Sequence, residues 1–248
     1  MSKLGVYLCG DGHPTFAALR LKRDDPEFQD MKVHPLNGGF HTMLELHKLR
    51  GKMFGPTHLR EIWHRWRPTD AQKNWVMTPG DPNQVEDELV MYYIGAVASA
   101  VMGLIEKREE DENANDVGVS AIDVHDYMKR AAQSCPIVQN IYNELRFAEV
   151  IFMLQQAEEE GNAKKFVTAM KFAACLFAAS HATKYCNIAA EFLIWWHCAS
   201  EAEKAIFEKY IMVRKTKEGK TIYTDGQVCR VVGSRHERGG WETFSKGH

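Results

Sequence analysis

The sequence predicts an α+β protein that is predominantly helical, and three observations predict it. Two short apolar runs near the start, Val6-Tyr7-Leu8-Cys9 and Val33-His34-Pro35-Leu36, each end in a Gly-rich polar corner, Gly10-Asp11-Gly12-His13 and Asn37-Gly38-Gly39-Phe40-His41. Between residues 81 and 210 the apolar side chains recur at helical spacing. Strand-like pattern returns only near the end, where Ile211-Met212-Val213 and Thr221-Ile222-Tyr223 flank Lys217-Glu218-Gly219-Lys220 as a β-hairpin. The organisation read from this is an α/β segment over residues 1–80, a helical body over 81–210, and a hairpin, short helix and basic tail over 211–248.

Each element has a local reason. The two N-terminal runs are strand-length, and the residues between them fit one crossover connection, so they read as short parallel strands of a βαβ unit. Pro14 suits the start of the crossover helix, and Phe16, Leu19 and Leu21 share a face before Asp24-Asp25-Pro26 interrupts it. Met43, Leu44, Leu46, Leu49 and Met53 then mark a helix that stops at Gly55-Pro56. Thr57 is placed to cap the next helix, whose Leu59, Ile62, Trp63 and Trp66 form an apolar stripe among His58, Arg60, Arg65 and Arg67. Aromatic and basic interleaving suits nucleic acid, while tryptophan at i, i+3 spacing suits a core, and both readings stand.

A long helix follows Asp81-Pro82-Asn83, with Leu89, Tyr92, Tyr93, Val97, Val101 and Leu104 on its face. Small Gly95, Ala96, Ala98, Ser99 and Ala100 allow close packing, and the helix runs into a charged low-complexity stretch over residues 106–116, read as a mobile loop. Residues 119–130 read as helix. Cys135-Pro136 restarts a helix that carries Val138, Ile141, Leu145, Val150, Phe152 and Leu154 to a stop at Gly161-Asn162. Residues 164–179 and 184–198, rich in Phe, Ala, Leu and Trp, read as buried helices of an antiparallel bundle.

Composition sets bounds. A chain of 248 residues that is 45% hydrophobic and 26% charged can bury a sizeable core. No apolar run is counted at the roughly 20 residues of a membrane span, and Met1-Ser2-Lys3-Leu4 lacks a signal-peptide pattern, so an intracellular protein without membrane contact is expected. The six cysteines show no zinc-like spacing and read as reduced, mostly buried thiols. His41 and His47 are six apart, which is not the i, i+4 spacing of a helical metal pair. Charge is uneven: 12 basic and 8 acidic side chains over residues 1–80, 5 and 17 over 81–163, and 14 and 8 over 164–248. Basic ends around an acidic centre fit DNA contact at the ends, or simply solvated helix faces.

Four residues are the candidates for chemistry. Asp11, at a strand end, suits a Mg²⁺ ligand of phosphoryl transfer or the closure of a tight turn. Gly38-Gly39 ahead of a helix presents backbone N–H groups, and His41 beside them suits phosphate binding or acid-base work, or a turn. Glu191 interrupts an apolar helix near Trp195-Trp196 and reads either as a partly buried carboxylate or as a solvent-facing one. Asp225 opens the last helical segment. The usual Gly-rich nucleotide motifs and the G-x-S-x-G elbow are not found.

The segments Cys9-Gly10-Asp11-Gly12-His13, Leu36-Asn37-Gly38-Gly39-Phe40-His41-Thr42-Met43, Thr183-Lys184-Tyr185 and residues 225–240 resemble, in the same order, an uncharacterised eukaryotic transposon-associated domain family that looks like divergent DDE-type transposases. The resemblance implies a partial RNase H-like α/β core with residues 81–210 as a large helical insertion. It implies Mg²⁺ held by Asp11 and Asp225, with Glu191 as an alternative second carboxylate and His41 near the scissile phosphate. Three departures point away from activity: Gly39 stands where the family has Asp, residues 225–229 lack an acid where related chains show Glu, and Asp11 follows the first strand. The expectation is a truncated, catalytically inactive transposase-derived domain, nuclear, retaining DNA binding through its basic terminal segments. The alternative is a non-catalytic helical scaffold that holds an unknown protein partner on its amphipathic helices or on the Trp63/Trp66 or Trp195/Trp196 surfaces.

Overall fold

A computed structural model describes residues 6–10, 12–29, 33–66, 69, 76–79, 83–110, 118–210, 214–215 and 221–222. Between residues 38 and 210 the described residues are helices and short connections with no strand, and the structure is 90% helical. The class is therefore all-α, and the expected RNase H-like α/β core is overturned. Strand pairing among the other described residues is β1 (Val6–Gly10) parallel to β2 (Val33–Asn37), and, as a separate pair, β3 (Arg214–Lys215) antiparallel to β4 (Thr221–Ile222). A two-stranded ribbon has only edges, so it offers no mid-sheet position for a metal-binding carboxylate. The apolar residues that a central sheet would require sit on helices instead.

The helices are α1 (Gly12–Asp24), α2 (Pro26–Gln29), α3 (Gly39–Phe54), α4 (Arg60–Trp66), α5 (Asn83–Glu109), α6 (Ala121–Ser134), α7 (Pro136–Glu160), α8 (Ala163–Ala179), α9 (Thr183–Cys198) and α10 (Glu201–Tyr210). The chain divides into two compact units, one of Met1–Leu46 with Val150–His248 and one of His47–Glu149.

In the first unit, α8 and α9 pack as a helical hairpin. Asn162 accepts from the Lys165 N–H and caps α8, at the boundary where the sequence places a stop. Two chain reversals use the same device: Gly161 (φ 61°) and His181 (φ 57°) take the left-handed conformation. The N–H groups of Asn162 and Ala182 then bond back to the carbonyls of Ala157 and Phe177. Glycine suits that conformation, whereas His181 adopts it at a cost. The core holds Leu154, Ala157, Phe166, Met170, Phe177, Ile188 and Phe192, all buried. Phe207 of α10 is 1% exposed and is ringed by Phe192, Trp195 and Trp196 at centroid distances of 5.6–5.7 Å, so both tryptophans are spent mainly on packing.

Gly39, at the start of α3, is set against Glu158 of α7: a Cβ there would overlap the buried Glu158 carboxylate. This accounts for glycine at the position, since any side chain there would have no room.

In the second unit, α5 packs along α6. Tyr92, Ala100 and Leu104 of α5 meet Val124 and Met128 of α6 and Leu145 of α7 in one buried cluster. Ser120 and Asp123 form a reciprocal capping box that starts α6. Trp63 is completely buried, which decides for core over surface at that position, while the Trp66 side chain lies outside the described residues.

The junction of α3 and α4 departs from expectation. The sequence places a stop at Gly55-Pro56, but the helix continues through a wide π turn, Gly55–Leu59, in which the Arg60 N–H bonds to the Gly55 carbonyl. Pro56 occupies the first positions of that turn, where no N–H is needed. Thr57 caps nothing: its hydroxyl donates to the Phe54 carbonyl at 2.8 Å.

Candidate functional site

The π turn rotates His58 onto a buried polar cluster in the second unit, and such turns recur at functional positions. Glu144 of α7 is at its centre and is 0% exposed. Arg50, three residues before the end of the α3 core stripe and 1% exposed, donates from Nε to Glu144 Oε1 at 2.7 Å. The other oxygen, Oε2, is hydrogen-bonded to His58 Nε2. An ionised carboxylate only accepts, so the ring donates and Nε2 carries the proton. Tyr92 Oη stands 3.1 Å from that nitrogen and is itself hydrogen-bonded to Glu144. The Arg50 guanidinium lies 5.6 Å from the centre of the Tyr92 ring.

The electrostatics follow from burial and charge. Burial works to raise the Glu144 carboxyl, but the His58 hydrogen bond, the Arg50 charge and the Tyr92 hydrogen bond together outweigh it and hold it below the ordinary carboxylate value. The Tyr92 hydroxyl is pushed up, first by burial and then by the Glu144 charge. His47, one turn before Arg50, is pushed down to about 3 by burial and then by the Arg50 charge, and is neutral. Every acid and hydroxyl of the cluster is thus engaged internally and withheld from solvent. Chemically it is a polar tie between α3, the π turn, α5 and α7, with no group presented for reaction.

The other conspicuous feature of this unit is the outward face of α5. Val90, Met91, Ile94 and Met102 are 37%, 61%, 58% and 57% exposed. They lie on the side opposite the buried Leu89, Tyr92, Ala100 and Leu104, so the helix is apolar all round. The sequence reading counted no run long enough for a membrane span. By length and composition, however, Val85–Glu109 is such a helix, with a mean hydropathy of 1.7 over its most apolar window and 28% of that window buried.

The sequence-predicted site residues fare unevenly. Asp11 and Asp225 lie outside the described residues, as does almost all of the basic C-terminal segment. His41 sits in the first turn of α3, half-buried, its ring set edge-on to Phe40 at 5.4 Å. Glu191 is exposed on α9, which selects the solvent-facing reading. Among the described residues no three His, Cys, Asp or Glu side chains converge to hold a metal ion. Four thiols are described and free: Cys135 and Cys186 are half-buried and Cys175 and Cys198 exposed, so the expectation of mostly buried cysteines fails for these.

Sequence reasoning passed over Arg50 and Glu144 altogether, placed His58 among the basic residues around the α4 stripe and put Tyr92 on the apolar face of α5. A signal existed on α7, where Glu144, Ile151 and Glu158 repeat at seven-residue intervals along the buried stripe. Acids at core positions need partners.

Comparison with known protein families, with curated proteins and with solved structures finds no match to this chain.

Proposed function

We propose that this chain is a non-catalytic helical interaction protein whose contact surface is the outward face of α5. The observation that carries the reading is the set Val90, Met91, Ile94 and Met102, which spans about 18 Å of one helix face at 1.5 Å per residue and is exposed. Other large exposed apolar side chains, such as Leu21, Ile122 and Phe172, stand on different helices. A protein partner suits this face better than lipid. The opposite side of α5 is committed to α6 and α7, and α6 carries Asp126, Lys129 and Arg130, which would have to enter the bilayer with it. The buried Arg50–Glu144 tie fits the same reading, since it stiffens the helices that present the face.

Size in native cell extract tests this. The wild-type chain is expected to elute well above monomer size in gel filtration, and Ile94→Asp, at an exposed position where folding tolerates a charge, at monomer size. Wild type eluting as a monomer, or Ile94→Asp eluting with it, contradicts the reading.

A further inference from the structure

We propose that the cavity walled by α5, α6 and α7 in the second unit binds an uncharged, largely apolar small molecule. Its volume is about 440 Å³, room for roughly fifteen waters at about 30 Å³ each and within the range of small-molecule sites. Val124, Met128 and Leu145 are its buried apolar wall, and half-buried Val97 and Val101 of α5 continue it.

The polar groups of the lining already answer one another. Arg146 Nη1 donates to Glu149 Oε2 at 2.6 Å, Tyr93 Oη donates to Glu149 Oε1 at 3.3 Å, and Tyr142 Oη lies 3.0 Å from His125 Nε2. The N-terminus of α6 reaches the lining at Ser120 and Ala121, but the Ser120/Asp123 capping box engages the Ser120 and Asp123 N–H groups and the Asp123 carboxylate offsets the helix dipole. The lining therefore holds no unbalanced charge. A charged ligand would shed its hydration without gaining a free counter-charge, and this is the chemical basis for selecting a neutral one. The rings of Tyr93 and Tyr142 offer faces for a planar apolar ligand, and their hydroxyls can exchange hydrogen bonds with a single polar substituent. Val90, Met91, Ile94 and Met102 are not in the lining, although Ile94 lies one turn before Val97 on α5, so the cavity borders the outward face without including its side chains.

Titration of the purified chain with the neutral fluorescent probe N-phenyl-1-naphthylamine tests the proposal. Saturable binding of one probe per chain is expected, weakened at least tenfold by Val97→Trp and by Ala121→Trp and unchanged by Phe172→Asp, an exposed position outside the lining. The anionic probe 1-anilinonaphthalene-8-sulfonate should bind at least tenfold more weakly. Ala121 is exposed, so its replacement keeps the fold, and a cooperative urea transition verifies this for each variant. Failure of the neutral probe to saturate, indifference to both tryptophan substitutions, or loss of binding in Phe172→Asp overturns the site. Equal affinity for the anionic probe overturns its selectivity.

Discussion

Glu144 Oε1 accepts a hydrogen bond from Arg50 Nε at 2.7 Å, and both side chains are cut off from solvent. The two residues are 94 apart in sequence, so the pair fastens α3 to α7 within the second unit. Removing one partner leaves a buried charge alone, and Glu144→Gln is expected to cost about 3–5 kcal/mol in urea unfolding. Arg50→Met combined with Glu144→Leu should restore most of that loss, because an apolar pair of similar volume carries no desolvation penalty. A double variant as unstable as the single would show that the tie is more than a paired charge.

Acid should weaken the fold in two stages. The folded His47 imidazole takes a proton only near pH 3, whereas the unfolded one takes it near 6.5. Between those values the unfolded chain binds the extra proton, so stability falls as pH falls, by up to about 1.4 kcal/mol per pH unit. The folded Glu144 carboxyl is held below its ordinary value, so its contribution is present above the carboxylate range and is lost as pH drops through the folded value. Urea midpoints of His47→Leu should be flat between pH 6.5 and 5 relative to wild type, while both proteins fall at lower pH.

Glycine substitutions separate crowded from open helix positions. A Cβ on Gly51 would overlap the backbone carbonyl of Met77, and Gly51→Ala is expected to cost about 1–3 kcal/mol. Nothing lies within 4 Å of a Cβ on Gly95, so Gly95→Ala in the isolated chain should gain about 0.5–1 kcal/mol. Thermal melts of the two variants should shift in opposite directions.

His181 holds a left-handed conformation at the α8–α9 reversal that glycine adopts without strain. His181→Gly is expected to raise stability by about 1 kcal/mol in urea unfolding.

The helices were legible where their signals are local. Gly161-Asn162 between α7 and α8, and the Phe- and Ala-rich runs of α8 and α9, declare themselves within a few residues. The fold class was misjudged because Val6–Gly10 and Val33–Asn37 are strand-like by pattern, yet among the described residues they pair only with each other, and two strands do not make a core. The outward face of α5 was hidden for a related reason: a helix apolar on every side reads as buried, and only packing shows which side is left bare. The Arg50–Glu144 pair has no local signature at all, since the charge of each is explained by a partner in a distant segment. Glu191, singled out because it interrupts an apolar helix, sits on the solvent side of α9, where an acid needs no partner.

The central claim, that a partner protein covers the outward face of α5, is tested most directly by oxidation of Met91 and Met102. Both thioethers are more than half exposed in the free chain and serve as built-in reporters. Brief peroxide treatment followed by mass spectrometry should find both oxidised readily in the dilute purified chain and protected at least fivefold in native extract. Equal oxidation in the two settings would show that nothing covers this face and would contradict the account.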